Sequence, residues 1–411
     1  MTTQSITEIP PRSPSSARWL NSTVLGIALA SLFSDWSHEI ATAALPAFLA
    51  TMGGAAAWLG VIEGVSDGFS SFAKMGSGYF TDGLQRRKPI AVVGYLVTAL
   101  GTASFGLATT AWHVLLGRTF AWLGRGVRTP VRKALLAGSV TRETYGRAFG
   151  FERMMDTVGA IIGPVTAFVL LPVFHYHYSS LFAVTLIPGL TAAAVIALLV
   201  SEKARKPVSH ISFGSRLHAL PTGYRRFLVA VGVFGAGDFA PTLLILLAAQ
   251  KLAPTFGPTK AASAAVALYV AHNVLYAGFA FIAGWLADRV RKLPLLAFGY
   301  GLAALTALAV MTLPLGLWTL AVVFIGRGIY VAIEETLEDS LCAELVDESQ
   351  HGMAFGVLAT VNGVGDFLSS AMVGTLWGVF GSAVAFGYSF LLFTAGTALI
   401  LRAGWQDNRA A

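Results

Sequence analysis

Charged side chains recur in this sequence inside runs of apolar residues, and they recur at helical spacing. Asp35, His38 and Glu39 stand within residues 24–50, with Asp35 and Glu39 four apart on one helix face. Glu63 and Asp67 repeat that spacing within 56–80, and Lys74 lies seven beyond. Arg118, Arg125, Arg128 and Arg132, at steps of seven, three and four, make an arginine stripe within 112–140, and Glu152, Arg153 and Asp156 follow. Further on come Asp238, His272 with Asn273, Arg327, then Glu334, Glu335, Glu338 and Asp339, and finally Asn362 and Asp366. An ionisable group at membrane depth is costly against lipid, so each is expected to face protein or a water-filled cavity.

The chemistry on offer is proton and charge handling. Burial disfavours a carboxylate and a neighbouring guanidinium favours it, so a helix motion that changes such a pairing takes up or releases a proton. Asp35, Glu63, Asp67 and Glu334 are the candidates for that role. His38, Glu39, Arg118, Arg125, Asp156, Asp238, His272, Asn273, Glu338, Asn362 and Asp366, with the aromatic side chains of Trp36 and Tyr330, are candidates to line a substrate cavity. Arg118 and Arg125 suit an anion or the tuning of an acid. His38 and His272 titrate near neutrality when solvated, although a lone histidine in a span is more often packed. Arg128, Arg132, Glu152, Arg153, Glu335 and Asp339 are expected to be structural pairs or pairs near the cytoplasmic end. Asp35, His38, Glu39 and Glu63 would suit a divalent ion only loosely, and no metal-ligand spacing is present. The single cysteine, Cys342, excludes an internal disulfide and a CxxC site. No Walker loop or other cofactor motif occurs.

These groups need a scaffold of membrane helices. Of 411 residues, 55% are hydrophobic and 12% charged, with a mean hydropathy of +0.68. A soluble fold of this size cannot hide so much apolar surface, whereas a bilayer solvates it and forces the backbone into helices. Twelve spans are expected, at about 24–50, 56–80, 89–110, 112–140, 146–173, 178–201, 227–250, 261–286, 294–315, 317–346, 352–373 and 381–402. Pro46, Pro130, Pro164 and Pro241 are candidate kinks. The first apolar stretch continues into Asp35, His38 and Glu39 and lacks a cleavage site, which points to a span and not a signal peptide. The net charge of +7 is a matter of topology and not of nucleic acid: segments on the side of the termini carry Arg12, Arg18, Arg86, Arg87, Lys88, Arg142, Arg147, Lys203, Arg205, Lys206, Arg216, Arg225, Arg226, Arg289, Arg291, Lys292, Arg402 and Arg409, and the opposite loops only Lys251 and Lys260. Both termini are therefore expected in the cytoplasm of a bacterial-type inner membrane.

A constant offset links the two halves of the chain. Gly78-Tyr-Phe-Thr-Asp82 matches Gly284-Trp-Leu-Ala-Asp288, and Gly146-Arg-Ala-Phe-Gly150 matches Gly352-Met-Ala-Phe-Gly356, both 206 residues apart. In that frame Arg132 becomes Glu338 and Lys133 becomes Asp339, so a duplicated position has changed sign. The expected organisation is an N-terminal segment 1–23, a bundle 24–201, a basic linker 202–226, a bundle 227–402 and a tail 403–411: an all-α membrane protein of two pseudo-symmetric six-helix bundles.

The run Gly78-Tyr-Phe-Thr-Asp82-Gly-Leu-Gln-Arg86-Arg87-Lys88 resembles the G-x-x-x-D-x-x-x-R-[RK] loop motif of the major facilitator superfamily, and Gly284-Trp-Leu-Ala-Asp288-Arg-Val-Arg-Lys292 resembles its degenerate second copy. The resemblance covers about residues 20–405. It implies a gating role for Gly78, Asp82, Arg86, Arg87, Gly284 and Asp288. Gly159, Gly163 and Pro164 resemble the helix-bend motif of proton-coupled antiporters, without its terminal Gly-Gly. An Arg in the fourth span, carried to Arg118 or Arg125, resembles the family's proton-coupling arginine.

The expected function is secondary active transport, with proton-coupled export of a small organic solute by alternating access as the leading reading. Proton-coupled uptake of a small anionic or sugar-like nutrient is the alternative. A non-transporting membrane sensor is the reading from another class, and an enzyme is not expected. The partners are a small-molecule substrate, protons and the lipid bilayer, with the monomer as functional unit.

Overall fold

The computed structural model describes residues 18–52, 55–204 and 212–410. Arg12, Arg205, Lys206 and the side chain of Arg409 lie outside the described residues. Among the described residues the regular elements are all helices: α1 (Ser22–Thr51), α2 (Ala55–Asp82), α3 (Lys88–Ala103), α4 (Ala111–Ala137), α5 (Tyr145–Val173), α6 (Tyr178–Val184), α7 (Leu186–Leu199), α8 (Phe213–Ala219), α9 (Thr222–Gly235), α10 (Pro241–Phe256), α11 (Pro258–Ala287), α12 (Lys292–Thr312), α13 (Leu317–Leu345), α14 (His351–Phe380) and α15 (Ser382–Ala410).

Among the described residues, eight helical segments are long and apolar enough to cross a membrane: Lys88–Leu107, Arg142–Val173, Tyr178–Leu199, Pro258–Ala287, Lys292–Thr312, Leu317–Leu345, Glu348–Phe380 and Ser382–Arg402. The expected first, second and fourth spans are of crossing length, at 30, 28 and 27 residues, but their apolar runs are interrupted by the charges described above. The expected seventh span is two helices. Pro241 opens α10 at its first turn, where a missing N–H costs nothing, and so starts a helix instead of kinking one. Residues 236–240 between α9 and α10 carry Asp238 in the break. Pro46, Pro130 and Pro164 sit inside continuous helices.

Helices α1–α7 pack on one another, and α9–α15 form a second mutually packed set. The sets meet chiefly through α5 on α11 and α2 on α14, with α13 on α5 and α14 on α4 behind them. Small residues make the contact. A Cβ at Gly78 would lie 2.2 Å from the Gly352 carbonyl oxygen, and one at Gly146 2.3 Å from that of Gly284. Further along, a Cβ at Gly64 or Gly68 in α2, or at Gly374 or Gly378 in α14, would meet nothing within 4 Å. The sets thus close at one end and part toward the other.

Gly159 and Gly163 admit α1: a Cβ there would stand 2.3 Å from the Leu32 carbonyl oxygen and 2.4 Å from the Glu39 Cβ. These two glycines and Pro164, expected to bend a helix, lie in an unbroken α5, where the glycines serve close helix approach. At the closed end, Glu202 accepts from the backbone N–H groups of Arg87 (2.7 Å) and Lys88 (2.8 Å) and caps α3. Arg216 of α8 donates to the Tyr79 carbonyl oxygen (3.2 Å) and stacks on its ring, which seats the linker helix on α2.

Candidate functional site

Two features dominate the interior: a clasp at the closed end and a polar cavity above it. In the clasp, Asp82 at the end of α2 accepts from the backbone N–H groups of Gly352 (3.0 Å) and Met353 (2.8 Å), in the first turn of α14. Asp288, just past α11, accepts from Gly146 (2.7 Å) and Arg147 (3.1 Å), in the first turn of α5. The first N–H groups of a helix have no partner within it, and the helix dipole favours a negative charge there. Adding 206 to the residues of the second contact's partner helix, or to Asp82, maps each contact onto the other. The clasp is therefore its own image under the sequence offset.

Of the two arginines given a gating role, Arg87 is buried and paired with Asp82, while Arg86 is exposed. Arg87 stands just before α3, and its side chain turns back over the end of α2. Arg147 plays the matching part on Asp288, its Nε donating at 2.7 Å.

The cavity, of about 190 Å³, is lined from the first set by Lys74, Arg125, Arg128, Thr129, Arg132, Lys133, Arg153 and Asp156, and from the second by Glu335, Glu338, Asp339, Ala359, Asn362, Gly363 and Asp366. One wall is mainly basic and the other mainly acidic. Of the residues expected to line a cavity, Arg125, Asp156, Glu338, Asn362 and Asp366 do so. Arg128, Arg132, Arg153, Glu335 and Asp339, expected as structural pairs, also line it. Helical spacing alone does not say which arginines of a stripe face a partner helix and which face a void.

Most of these charges are satisfied. Arg132 pairs with Glu152 (2.9 Å) and Asp156 (3.6 Å), and donates to Ser31 Oγ (2.6 Å), which in turn donates to Glu152 (2.6 Å). Arg128 donates to Ser34 (2.7 Å) and lies 4.1 Å from the Tyr95 ring centre. Arg153 bridges the sets, pairing with Asp156 (3.2 Å) and Glu335 (2.8 Å). Tyr300 and Asn362 donate to the two oxygens of Glu338 (2.6 and 2.7 Å). Lys133 pairs with Asp339 at 2.6 Å. Those last two are repeat mates at the 206 offset, so they meet on the axis that relates the halves. A duplicated lysine would there face its own copy, and the change of sign read in the sequence turns repulsion into attraction.

The remaining expected residues fall around this centre. Asp35 is buried and its two oxygens stand 3.4 Å from Arg125. Arg118 donates to Thr42 (3.1 Å) and covers the Trp122 ring, whose Nε1 donates to Asp67. His38 packs on the same ring at 4.4 Å, with Glu39 at 3.7 Å. Glu63 and Asp67 lie on the exposed face of α2. In the second set, Asp238 accepts from Arg327 (3.1 Å) and Tyr330 (3.0 Å), closing a buried triad at the break before α10. Glu334 is buried beside it.

Several expected cavity residues sit elsewhere. His272 is packed against Gly328 and held near the Phe324 carbonyl oxygen (3.4 Å), not on the cavity. Its neighbour Asn273 is half-buried. Trp36 bonds Thr166 (2.9 Å) in the α1–α5 contact, and Tyr330 is core. For His272, Trp36 and Tyr330 packing outweighs solvation: each ring finds a partner on another segment. Among the described residues no cluster of metal-ligating side chains occurs.

The sequence profile of the Major Facilitator Superfamily matches residues 27–370. An uncharacterized MFS-type transporter of Methanocaldococcus jannaschii is 25% identical over 360 residues, covering 88% of this chain and 89% of its own. A multidrug resistance protein, MdtH of Salmonella paratyphi B, is 33% identical over a shorter stretch of 109 residues, 26% of this chain and 27% of its own. Among solved structures, the human organic anion transporter MFSD10 (TETRAN) superposes with a TM-score of 0.76 at 14% identity, covering 92% of this chain and 99% of its own. The transporter FucP in its outward conformation gives 0.72 at 17% identity, covering 93% and 99%; at these identities the likeness is one of fold. With the profile spanning most of the chain, the fold shared along its length and the paired loop motifs clasping two helix ends, the chain belongs to the Major Facilitator Superfamily, a multi-pass membrane protein that is a secondary transporter and not an enzyme.

Proposed function

We propose that this transporter exports a small organic solute in exchange for protons, by alternating access between two six-helix bundles. Counting α1, α2, α4 and the broken α9–α10 with the eight apolar segments gives the twelve spans that the sequence predicts. Residues 24–201 and 227–402 are then the bundles, 202–226 the linker, and the clasp end, rich in Lys and Arg, is cytoplasmic. In that orientation the form described is closed to the cytoplasm and open outward, in keeping with the likeness to FucP in its outward conformation.

The observation that carries the reading is the placement of a charged cavity between two helix sets that are joined at one end only. Rocking about the cavity would undo the clasp and close the far end. Asp35, held by Arg125 at the cavity wall, is the best placed coupling acid, because a solute drawn to Arg125 competes with it directly. Glu334 is the counterpart in the second set, and Glu63 and Asp67 stand on the outward cleft. The export direction draws on the resemblance of the α5 motif to that of antiporters and on the multidrug resistance relatives.

Proton-coupled uptake is the second reading, favoured by the basic wall facing a cavity and by the fold shared with an E. coli fucose:proton symporter. Purified protein in proteoliposomes under an imposed pH gradient, screened against labelled solutes, tests both by the direction of flux. Asp35→Asn should still bind solute and lose proton-driven accumulation; unchanged coupling in that variant removes Asp35 from the role. Tight ligand binding with no flux of any solute would instead mark a sensor.

A further inference from the structure

Within the cavity two charges of opposite sign are left without a partner. Lys74 of α2 and Asp366 of α14 both line it, and among the described residues neither has an ion-pair partner within 4.0 Å or a side-chain hydrogen bond. They belong to different helix sets and face the same cavity with opposite charge. Every other acid on the cavity wall is bonded: Asp156 and Glu335 to arginine, Asp339 to Lys133, and Glu338 to Tyr300 and Asn362.

Each free charge has a helper. Beside Lys74 on the first set is Arg125, 29% exposed and held only loosely, at 3.4 Å from Asp35. One turn before Asp366 is Asn362, whose Nδ2 is taken by Glu338 and whose carbonyl oxygen remains an acceptor. One side of the cavity thus offers donors to an anionic group, and the other offers acceptors to a cationic one.

We propose that the transported solute is a small zwitterion, bound with its anionic group toward Lys74 and Arg125 and its ammonium toward Asp366 and Asn362. This rests on the reading of the cavity as the transport site. Asp366 is exposed to the open cleft and Lys74 is half-buried, so water serves both until a solute closes over them; a singly charged solute would then satisfy one group and leave the other desolvated and unpaired. A zwitterion satisfies both. It also carries no net charge, so its own translocation does no work against the membrane potential. Because its two ends engage different helix sets, it would draw the open cleft together, which is what a substrate of alternating access must do. The cavity, of about 190 Å³, has room for a solute of the size of a small amino acid or a betaine.

The test uses full-length protein in lipid nanodiscs, titrated with a panel of small amino acids and betaines. Each is paired with its amine-only and acid-only analogue; for valine these are isobutylamine and isovalerate. At least one zwitterion should bind roughly tenfold or more tighter than both of its analogues, as expected for a charge-assisted bond at each end. Lys74→Gln should erase the preference for the zwitterion over the amine and leave that over the acid. Asp366→Asn should do the converse. Lys74→Arg and Asp366→Glu should restore the zwitterion, and so separate lost recognition from lost folding. Panel-wide failure to bind, analogues binding as well as their zwitterions, or both neutral variants weakening all three ligands equally would overturn the proposal. Proteoliposome flux of other solutes in the first case would leave the transport reading intact, whereas no flux of any solute would end that reading too.

Discussion

Removing the Asp82 carboxylate should release the closed end of the transporter. Asp82 accepts two backbone N–H groups of α14, at 3.0 and 2.8 Å, from the opposite helix set. A hydrogen bond to a charged group contributes about 1.5–3 kcal/mol, and two of them about 3–6 kcal/mol before water resolvates the freed groups. Once the end opens, the N–H groups of α14 and the carboxylate are hydrated, so the low end of the range, about 3 kcal/mol, is the expected shift. That is roughly a hundredfold change in the ratio of closed to open forms. A population held at about 100:1 would fall toward parity. Asp82→Asn keeps one neutral acceptor in place of two charged ones and should shift the ratio by about three-quarters as much in free energy, since charge-assisted bonds are about twice as strong as neutral ones. Spin labels at Gln85→Cys and Val290→Cys, both exposed and one on each set, would report the separation, and buried Cys342 would not compete for label. Asp82→Ala should add a population at longer distance, Asp82→Asn a smaller one, and the mirror-image Asp288→Ala a similar one. A distance distribution unchanged in Asp82→Ala, or equal in the alanine and asparagine variants, would refute the reasoning.

Three further outcomes follow from the same geometry. Gly78→Ala should lower thermal stability or open the closed end by about 1–3 kcal/mol, because its Cβ would meet the Gly352 carbonyl oxygen at 2.2 Å; Gly68→Ala, which meets nothing within 4 Å, should leave the melting temperature unchanged. Arg132→Gln should destabilise by about 3–5 kcal/mol by stranding Glu152, which is 1% exposed; the double variant with Glu152→Gln should cost less than the two single changes summed, as read in a double-mutant cycle of thermal melts. Breaking the exposed Arg142–Asp347 pair, at 4.0 Å, should change stability by no more than about 1 kcal/mol; a larger loss would mean that this loop contact also holds the sets together.

The sequence and the structure agree where a residue's role follows from covalent spacing, and part where it depends on which neighbour a helix face meets. The repeat was legible because two five-residue matches share one offset, and it fixes which helix ends can clasp: Asp82 on α14 and Asp288 on α5 are the same contact twice. The break in the expected seventh span was not legible. Pro241 marks a kink or a start equally well until the partner of Asp238 is known, and that partner, Arg327, is 89 residues away. Which neighbours take Arg87 and His272 was not legible for the same reason. A buried pair and a packed ring are settled by the facing helix, and one sequence does not say what faces it.

Lys133 and Asp339 show how far the sequence can be pushed when a repeat is present. A residue and its copy can touch only near the axis relating the two halves, and there identical charges repel. A sign change between copies is therefore a signature of axial position that can be read without a structure. It marks Arg132 against Glu338 as well, and both pairs do line the central cavity. With one wall mainly basic and the other mainly acidic, the cavity presents both signs of charge to a solute. Lys74 and Asp366, which are not repeat mates, extend that inequality to the two helices whose contact closes the transporter. Reversing the axial pair with Lys133→Asp and Asp339→Lys retains that ion pair and loses the contact of Asp339 with Arg153 at 3.8 Å, so a thermal melt of the variant is read beside its binding. The reversal should weaken solute binding if the sign of each wall matters, and leave it unchanged if the pair is only a strut.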